Sequence, residues 1–113
     1  MAAGDWKDLL NAVYDNDLDL VKYHVQGGVN LNYQHPEFLT TPLIESITSG
    51  RYEITKYLLE NGADPSLSAG FSADSPLKVA KRTGNKALIS LVKSFLPKEK
   101  KGLGWFIQLF KGN

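Results

Sequence analysis

Cysteine is absent from this chain, which excludes a disulfide framework and all thiolate chemistry. Histidine is nearly absent. His24 and His35 are the two copies, and without cysteine they cannot build a zinc site of the usual ligand types. No apolar run approaches the ~20 residues needed to cross a bilayer. The opening MAAGDWKDLL has no basic stretch leading into an apolar one, so it does not read as a secretory signal. A soluble, cytoplasmic protein is the expectation. Net charge is scarce too, at +1, which points neither to a nucleic-acid binder nor to a strongly acidic protein. The sum hides an asymmetry: residues 1–60 hold 4 Lys/Arg against 9 Asp/Glu, and residues 61–113 hold 9 against 3. Two readings fit it: an acidic end and a basic end that steer a partner, or solvated outer faces of helices.

The patterns of catalysis are missing as well. No pair of carboxylates and no Ser or Thr with a matched His stands out. Gly102-Leu103-Gly104 is no phosphate loop, because neither a preceding strand nor a following Lys-Ser/Thr supports it. Lys78, Lys81, Arg82, Lys86 and Lys93 are basic but lack the interleaved aromatics of a nucleic-acid platform. No enzymatic activity, cofactor, metal or nucleic-acid partner is expected.

What the chain does have is a repeat. At 113 residues with 42% apolar side chains it is one domain with a modest core. In TTPLIESITSGRYEITKYLLENGADP (residues 40–65), Thr41 reads as an N-cap, Pro42 as the first helical position, and Gly50 as a left-handed stop. A second helix follows with Ile54, Tyr57 and Leu58 on one face and Asn61-Gly62 at its end. The plan recurs 34 residues later as Ser75, Pro76, Leu77, Gly84, Leu88, Leu91 and Val92. It also recurs 34 residues earlier as Leu9, Leu20, Tyr23, Val25 and Gly28. Helices this short are not stable alone, so a fixed period of paired helices predicts a solenoid. Inner helices are predicted over about 6–14, 42–49 and 76–83, and outer helices over about 18–26, 52–60 and 86–95. In the first pair, Leu9, Leu10 and Val13 are expected to face inward. Strands should be short or absent and confined to the connections.

The motifs TPL at 41–43, SPL at 75–77, glycine at 50 and 84, and LLENGADP at 58–65 resemble those of the ankyrin-repeat family. The resemblance spans about residues 6–96. It implies an all-α solenoid of three helix–turn–helix units, about 5–32, 33–66 and 67–97, with short hairpin fingers. Departures are visible: the family's usual His after TPL is Ile44 and Lys78 here, and the first unit has Lys7-Asp8-Leu9 in place of TPL, as polar terminal repeats of the family do. The family further implies a non-catalytic module that binds a partner protein, as adaptor or inhibitor, through the concave face and the fingers.

On that implied surface, Tyr14 and Asp15, Thr48 and Ser49, and Arg82 with Thr83 stack across the units as an acidic–neutral–basic row. The finger residues Tyr33, His35, Glu37, Phe38, Phe71 and Asp74 complete the expected partner-binding set. Phe38 and Leu39 either fold back onto the inner helices or form an apolar contact surface. His24 is read as a packed residue, with a binding role as the alternative. The tail PKEKKGLGWFIQLFKGN carries Leu103, Phe106, Ile107 and Phe110 at helical spacing. Residues 98–113 are expected to cap the open end of unit three, where Ile89 and Leu96 form an apolar stripe separate from Leu88, Leu91, Val92 and Phe95. The alternatives for the tail are docking onto another chain and lying on a membrane surface. A monomer is expected, with dimerisation through the tail as the alternative.

Overall fold

The computed structural model describes residues 6–34, 36–70 and 73–97. Among them are six helices: α1 (Trp6–Tyr14), α2 (Leu18–Gln26), α3 (Pro42–Thr48), α4 (Tyr52–Glu60), α5 (Pro76–Thr83) and α6 (Lys86–Phe95). The inner helices α1, α3 and α5 pack side by side, as do the outer helices α2, α4 and α6, and each inner helix packs on its own outer partner. The one β feature of the described residues is an isolated antiparallel bridge between Ala69 and Asp74. His35, Phe71 and the capping segment expected at 98–113 lie outside the described residues.

Local chemistry sets the helix ends. Thr41 Oγ1 accepts from Ile44 N at 3.2 Å and Ser75 Oγ from Lys78 N at 3.1 Å, with Pro42 and Pro76 in the first turn. The side chains of Asp17 and Asn85 do the same for α2 and α6. Each inner helix is followed by a left-handed residue 34 positions from the next: Asn16 (φ 57°), Gly50 (φ 72°) and Gly84 (φ 74°). Asparagine is the side chain that best tolerates this region, so unit one keeps the turn without the glycine.

The core is continuous through the three units. Leu9, Val13, Val21, Leu43, Ile47, Ile54, Leu58, Leu88 and Val92 are all buried. Trp6 belongs to this core as well, although the sequence pattern places it only at the start of α1. The two positions of the missing family histidine diverge: Ile44 is buried in the core, and Lys78 is exposed and paired with Asp74. Between α3 and α4 the buried hydroxyls of Ser46 and Thr55 meet at 2.8 Å.

Two expectations about packing are corrected. Leu20 aligns with Ile54 by period, yet it is 39% exposed and Val21 is the buried residue of α2. Tyr23, aligned with Tyr57, is 71% exposed. The reason is positional: α4 meets α2 with this face and α6 meets α4, whereas no described helix covers it on α2. Phe95 was expected to face unit two but is exposed. It aligns with Asn61, which follows the last residue of α4, so it lies past the level at which α4 stops. Ile89 and Leu96 are half-buried against the core.

The connecting loops stack on one another. Asn32 Nδ2 donates to Gly62 O at 3.1 Å, and Asn32 Oδ1 accepts from Asp64 N at 2.8 Å. Gln34 Nε2 donates to Ser68 O at 3.2 Å, and Gly70 N donates to Leu39 O. These bonds fix the loop of unit two on that of unit one and carry the inner-helix register out to the fingers.

Candidate partner-binding site

Lys7, Leu10, Asn11 and Tyr14 recur at three- and four-residue steps and therefore share one face of α1. With Phe38 and Thr40 from the first loop and Glu45 from α3, they line an open pocket of about 390 Å³. The pocket lies where the inner helices of units one and two meet the loop that joins those units.

Its walls are held from behind. Phe38 stacks on buried Trp6, with ring centroids 6.1 Å apart and planes 13° apart, and still leaves 51% of its surface exposed. Trp6 meets Tyr33 edge-on at 5.9 Å. Phe38 thus folds back onto the core through this stack, with about half of its surface left exposed. Lys7 Nζ stands 5.7 Å from the Phe38 ring centre, a cation–π distance. At the other end of α1, Arg51 Nη2 donates to Tyr14 O at 2.7 Å, placing a cation at the negative end of the helix dipole.

Glu45 forms the polar floor. Tyr14 OH donates to its Oε1 at 2.8 Å and Thr40 Oγ1 to its Oε2 at 2.6 Å. Burial first, then the hydrogen bond to Glu45 and the repulsion of its charge, push the Tyr14 phenol up to about 12. The neutral phenol is the form the fold favours, so its contribution to stability is complete below pH 10. That contribution is lost as pH rises from 10 through about 12. In an ultraviolet titration Tyr14 should give a late step near pH 12, about two units above the ordinary phenol, and Tyr14→Phe should remove that step. If the late step survives in Tyr14→Phe, the Tyr14–Glu45 bond is misassigned.

The other expected contact residues separate into groups. Tyr14 and Phe38 come together in the pocket, and Asp15 is exposed beside Tyr14. Tyr33 is half-buried behind Phe38, and Glu37 is exposed on the loop. Thr48 is exposed but donates to Ile44 O at 2.9 Å, and Ser49 is the half-buried C-cap of α3. Asp74 was expected on the surface and is instead 5% exposed. Its carboxylate lies 2.6 Å from Arg82 Nη2 and 3.3 Å from Lys78 Nζ, so it orients those two exposed cations instead of meeting a partner itself.

Lys7, Leu10, Asn11, Thr40 and Glu45 were not among the expected contact residues. The row Tyr14–Thr48–Arg82 was followed along the repeat, but its neighbour three residues earlier, Asn11–Glu45–Val79, was not. Residues three apart are neighbours on a helix surface, so Asn11 and Glu45 lie beside Tyr14 and Thr48 and line the pocket, whereas Val79 is buried in the core. Among the described residues, no group of three His, Asp or Glu side chains is placed to hold a metal ion, and no helix is long and apolar enough to cross a membrane.

Comparison with known proteins places this geometry. A family model described as ankyrin repeats (3 copies) matches residues 9–101. The chain is 42% identical over 59 residues to the human 2-5A-dependent ribonuclease, covering 52% of this chain and 8% of that protein. It is 40% identical over 57 residues to palmitoyltransferase AKR1 of Lachancea kluyveri, covering 50% of this chain and 8% of that protein. It is 36% identical over 64 residues to human palmitoyltransferase ZDHHC13, covering 55% and 10%. The matched stretches thus span at most a tenth of the length of these relatives, and they match through ankyrin-repeat segments. Repeats of this kind generally mediate contacts between proteins. With the motifs, the six paired helices and the family match in agreement, the chain belongs to the ankyrin-repeat family.

Proposed function

We propose that this chain is a non-catalytic recognition module that binds a partner protein across its inner-helix face and first loop, as an adaptor or as an inhibitor that occludes the partner. The observation that carries the reading is the pocket of Lys7, Leu10, Asn11, Tyr14, Phe38, Thr40 and Glu45. It combines an exposed aromatic ring fixed on the core with hydrogen-bonded polar groups, a pre-organised surface that costs little ordering entropy on binding. Its position between two repeats supports the same reading, because the bonds from Tyr14 and Thr40 to Glu45 tie α1 and the first loop to α3 across the site.

A photo-cross-linking side chain at Phe38 or Arg82 should capture a partner in cells that express the chain natively. The same group at Tyr52, exposed on outer helix α4, should capture none. Asp15→Lys should weaken the interaction without moving the melting temperature by more than a few degrees. Arg82→Glu and Phe38→Ala should weaken it and also cost stability, because they take the ion pair from buried Asp74 and the stacked ring from Trp6. Capture from Tyr52 alone would overturn the proposal. The alternative, action through residues 98–113 at a membrane or on a second copy, would appear as liposome co-sedimentation or as a dimer in solution of the full chain that a 1–97 truncation loses.

A further inference from the structure

Glu45 is a half-buried carboxylate whose two oxygens accept from neutral donors, the Tyr14 phenol and the Thr40 hydroxyl. Among the described residues no lysine or arginine forms an ion pair with it. An ionised carboxylate has about four acceptor positions, so two remain open towards a pocket of about 390 Å³. The walls are the Tyr14 and Phe38 rings. A carboxylate that, among the described residues, has no ion-pair partner and lines a pocket beside two aromatic rings is complementary to a cation, although Lys7 also stands at the pocket wall.

One repeat further on, the charge reverses. Lys78 and Arg82 share the single carboxylate of Asp74 and remain 68% and 60% exposed at their side chains. The surface there keeps a net positive charge, to which Lys81 on the same helix adds. Adjacent helices are set ~8–10 Å apart, the span of about three residues of extended chain.

We infer that the Tyr14–Phe38–Glu45 pocket takes an arginine side chain of the partner, and that the partner carries an acidic residue about three positions away, which pairs with Arg82 and Lys78. Arginine fits better than lysine because its planar guanidinium can stack on a ring and donate two bonds to one carboxylate. This rests on the reading of the inner face as the binding surface and names the partner chemistry for it. Lys7 gives the inference a sharp sign. Its ammonium stands at the pocket wall, so it repels a cationic anchor and would attract an anionic one.

The test uses the full chain and a library of random twelve-residue peptides, selected over several rounds. Enriched peptides should share an arginine with Asp or Glu about three residues away. For one such peptide, followed by fluorescence anisotropy, replacing its arginine with neutral citrulline should weaken binding about tenfold or more, a change that leaves the protein's own fold untouched. Glu45→Gln should cost a similar factor, and Lys7→Ala should tighten binding severalfold. Selection on Arg82→Glu should lose the acidic preference. Peptides that depend on Tyr14 and Phe38 but lack a basic residue, or that weaken with Lys7→Ala, would overturn the inference and leave the recognition face standing. No enrichment, or peptides indifferent to Tyr14→Ala and Phe38→Ala, would sink both.

Discussion

Leu58→Ala should lower the melting temperature on the order of 10–20 °C, the largest effect expected of a single outer-helix substitution. Leu58 is fully buried on α4, which among the described residues is the outer helix flanked on both sides, by α2 and by α6. Removing three carbons from such a site costs about 2–5 kcal/mol, because a packed neighbourhood cannot collapse onto the cavity. For a domain of this size each kcal/mol is worth about 4–8 °C. Solenoid stability is close to a sum of repeat terms and nearest-neighbour interface terms. Among the described residues, a lesion in the middle unit weakens two interfaces, whereas one in α6 weakens one. Val92→Ala, at the matching position of unit three, should therefore cost less, and Tyr52→Ala, on the exposed side of α4, should stay within about 0.5 kcal/mol. Circular dichroism melts of the three variants decide the matter. If Leu58→Ala and Val92→Ala melt together, the two interfaces are not being felt separately.

The difference between these sites also shows what could be read in the sequence. The 34-residue period was legible because each unit must bury the same face against its neighbours, so Leu43, Leu58 and Val92 announce themselves by alignment. The helix ends were legible because Thr41, Asp17, Ser75 and Asn85 cap them through local bonds. Only the last residue of α3 differed, with Ser49 serving as its C-cap. Where a face has no neighbour, period misleads: Leu20 holds the place of Ile54 and is exposed. The pocket was half legible. Phe38 stood out as an aromatic on a finger and Tyr14 by its place in the row before the inner-helix turn, and Glu45 did not, because its significance comes from Tyr14 and Thr40, 31 and 5 residues away. Asp74 failed for the opposite reason: a charged finger residue reads as surface until the two cations that bury it are seen.

Trp6→Ala should be nearly as damaging as Leu58→Ala, and it should reach the binding surface as well. Trp6 is almost wholly buried at the start of α1, and truncating a buried tryptophan costs about 3–5 kcal/mol. Part of that is specific to its two aromatic neighbours, for such pairs add about 0.5–1.5 kcal/mol beyond burial. Phe38 stacks on it at 6.1 Å and Tyr33 meets its edge at 5.9 Å. Phe38 sits on a loop, next to Leu39 at φ 50°, and no helix fixes its backbone. The indole is the platform that holds the pocket wall in place. Without it, Phe38 can rotate out of the pocket, and the ordering cost returns to the binding step. Trp6→Phe keeps an aromatic surface with less area, and should lose only part of both quantities. The check pairs melting curves with cross-linking yield at Phe38, read well below every variant's transition so that unfolding does not enter. Wild-type-like melting of Trp6→Ala would show that the first unit is not built around this side chain. Early melting with an unchanged yield at Phe38 would leave Trp6 a core residue and show that the loop holds its ring without it.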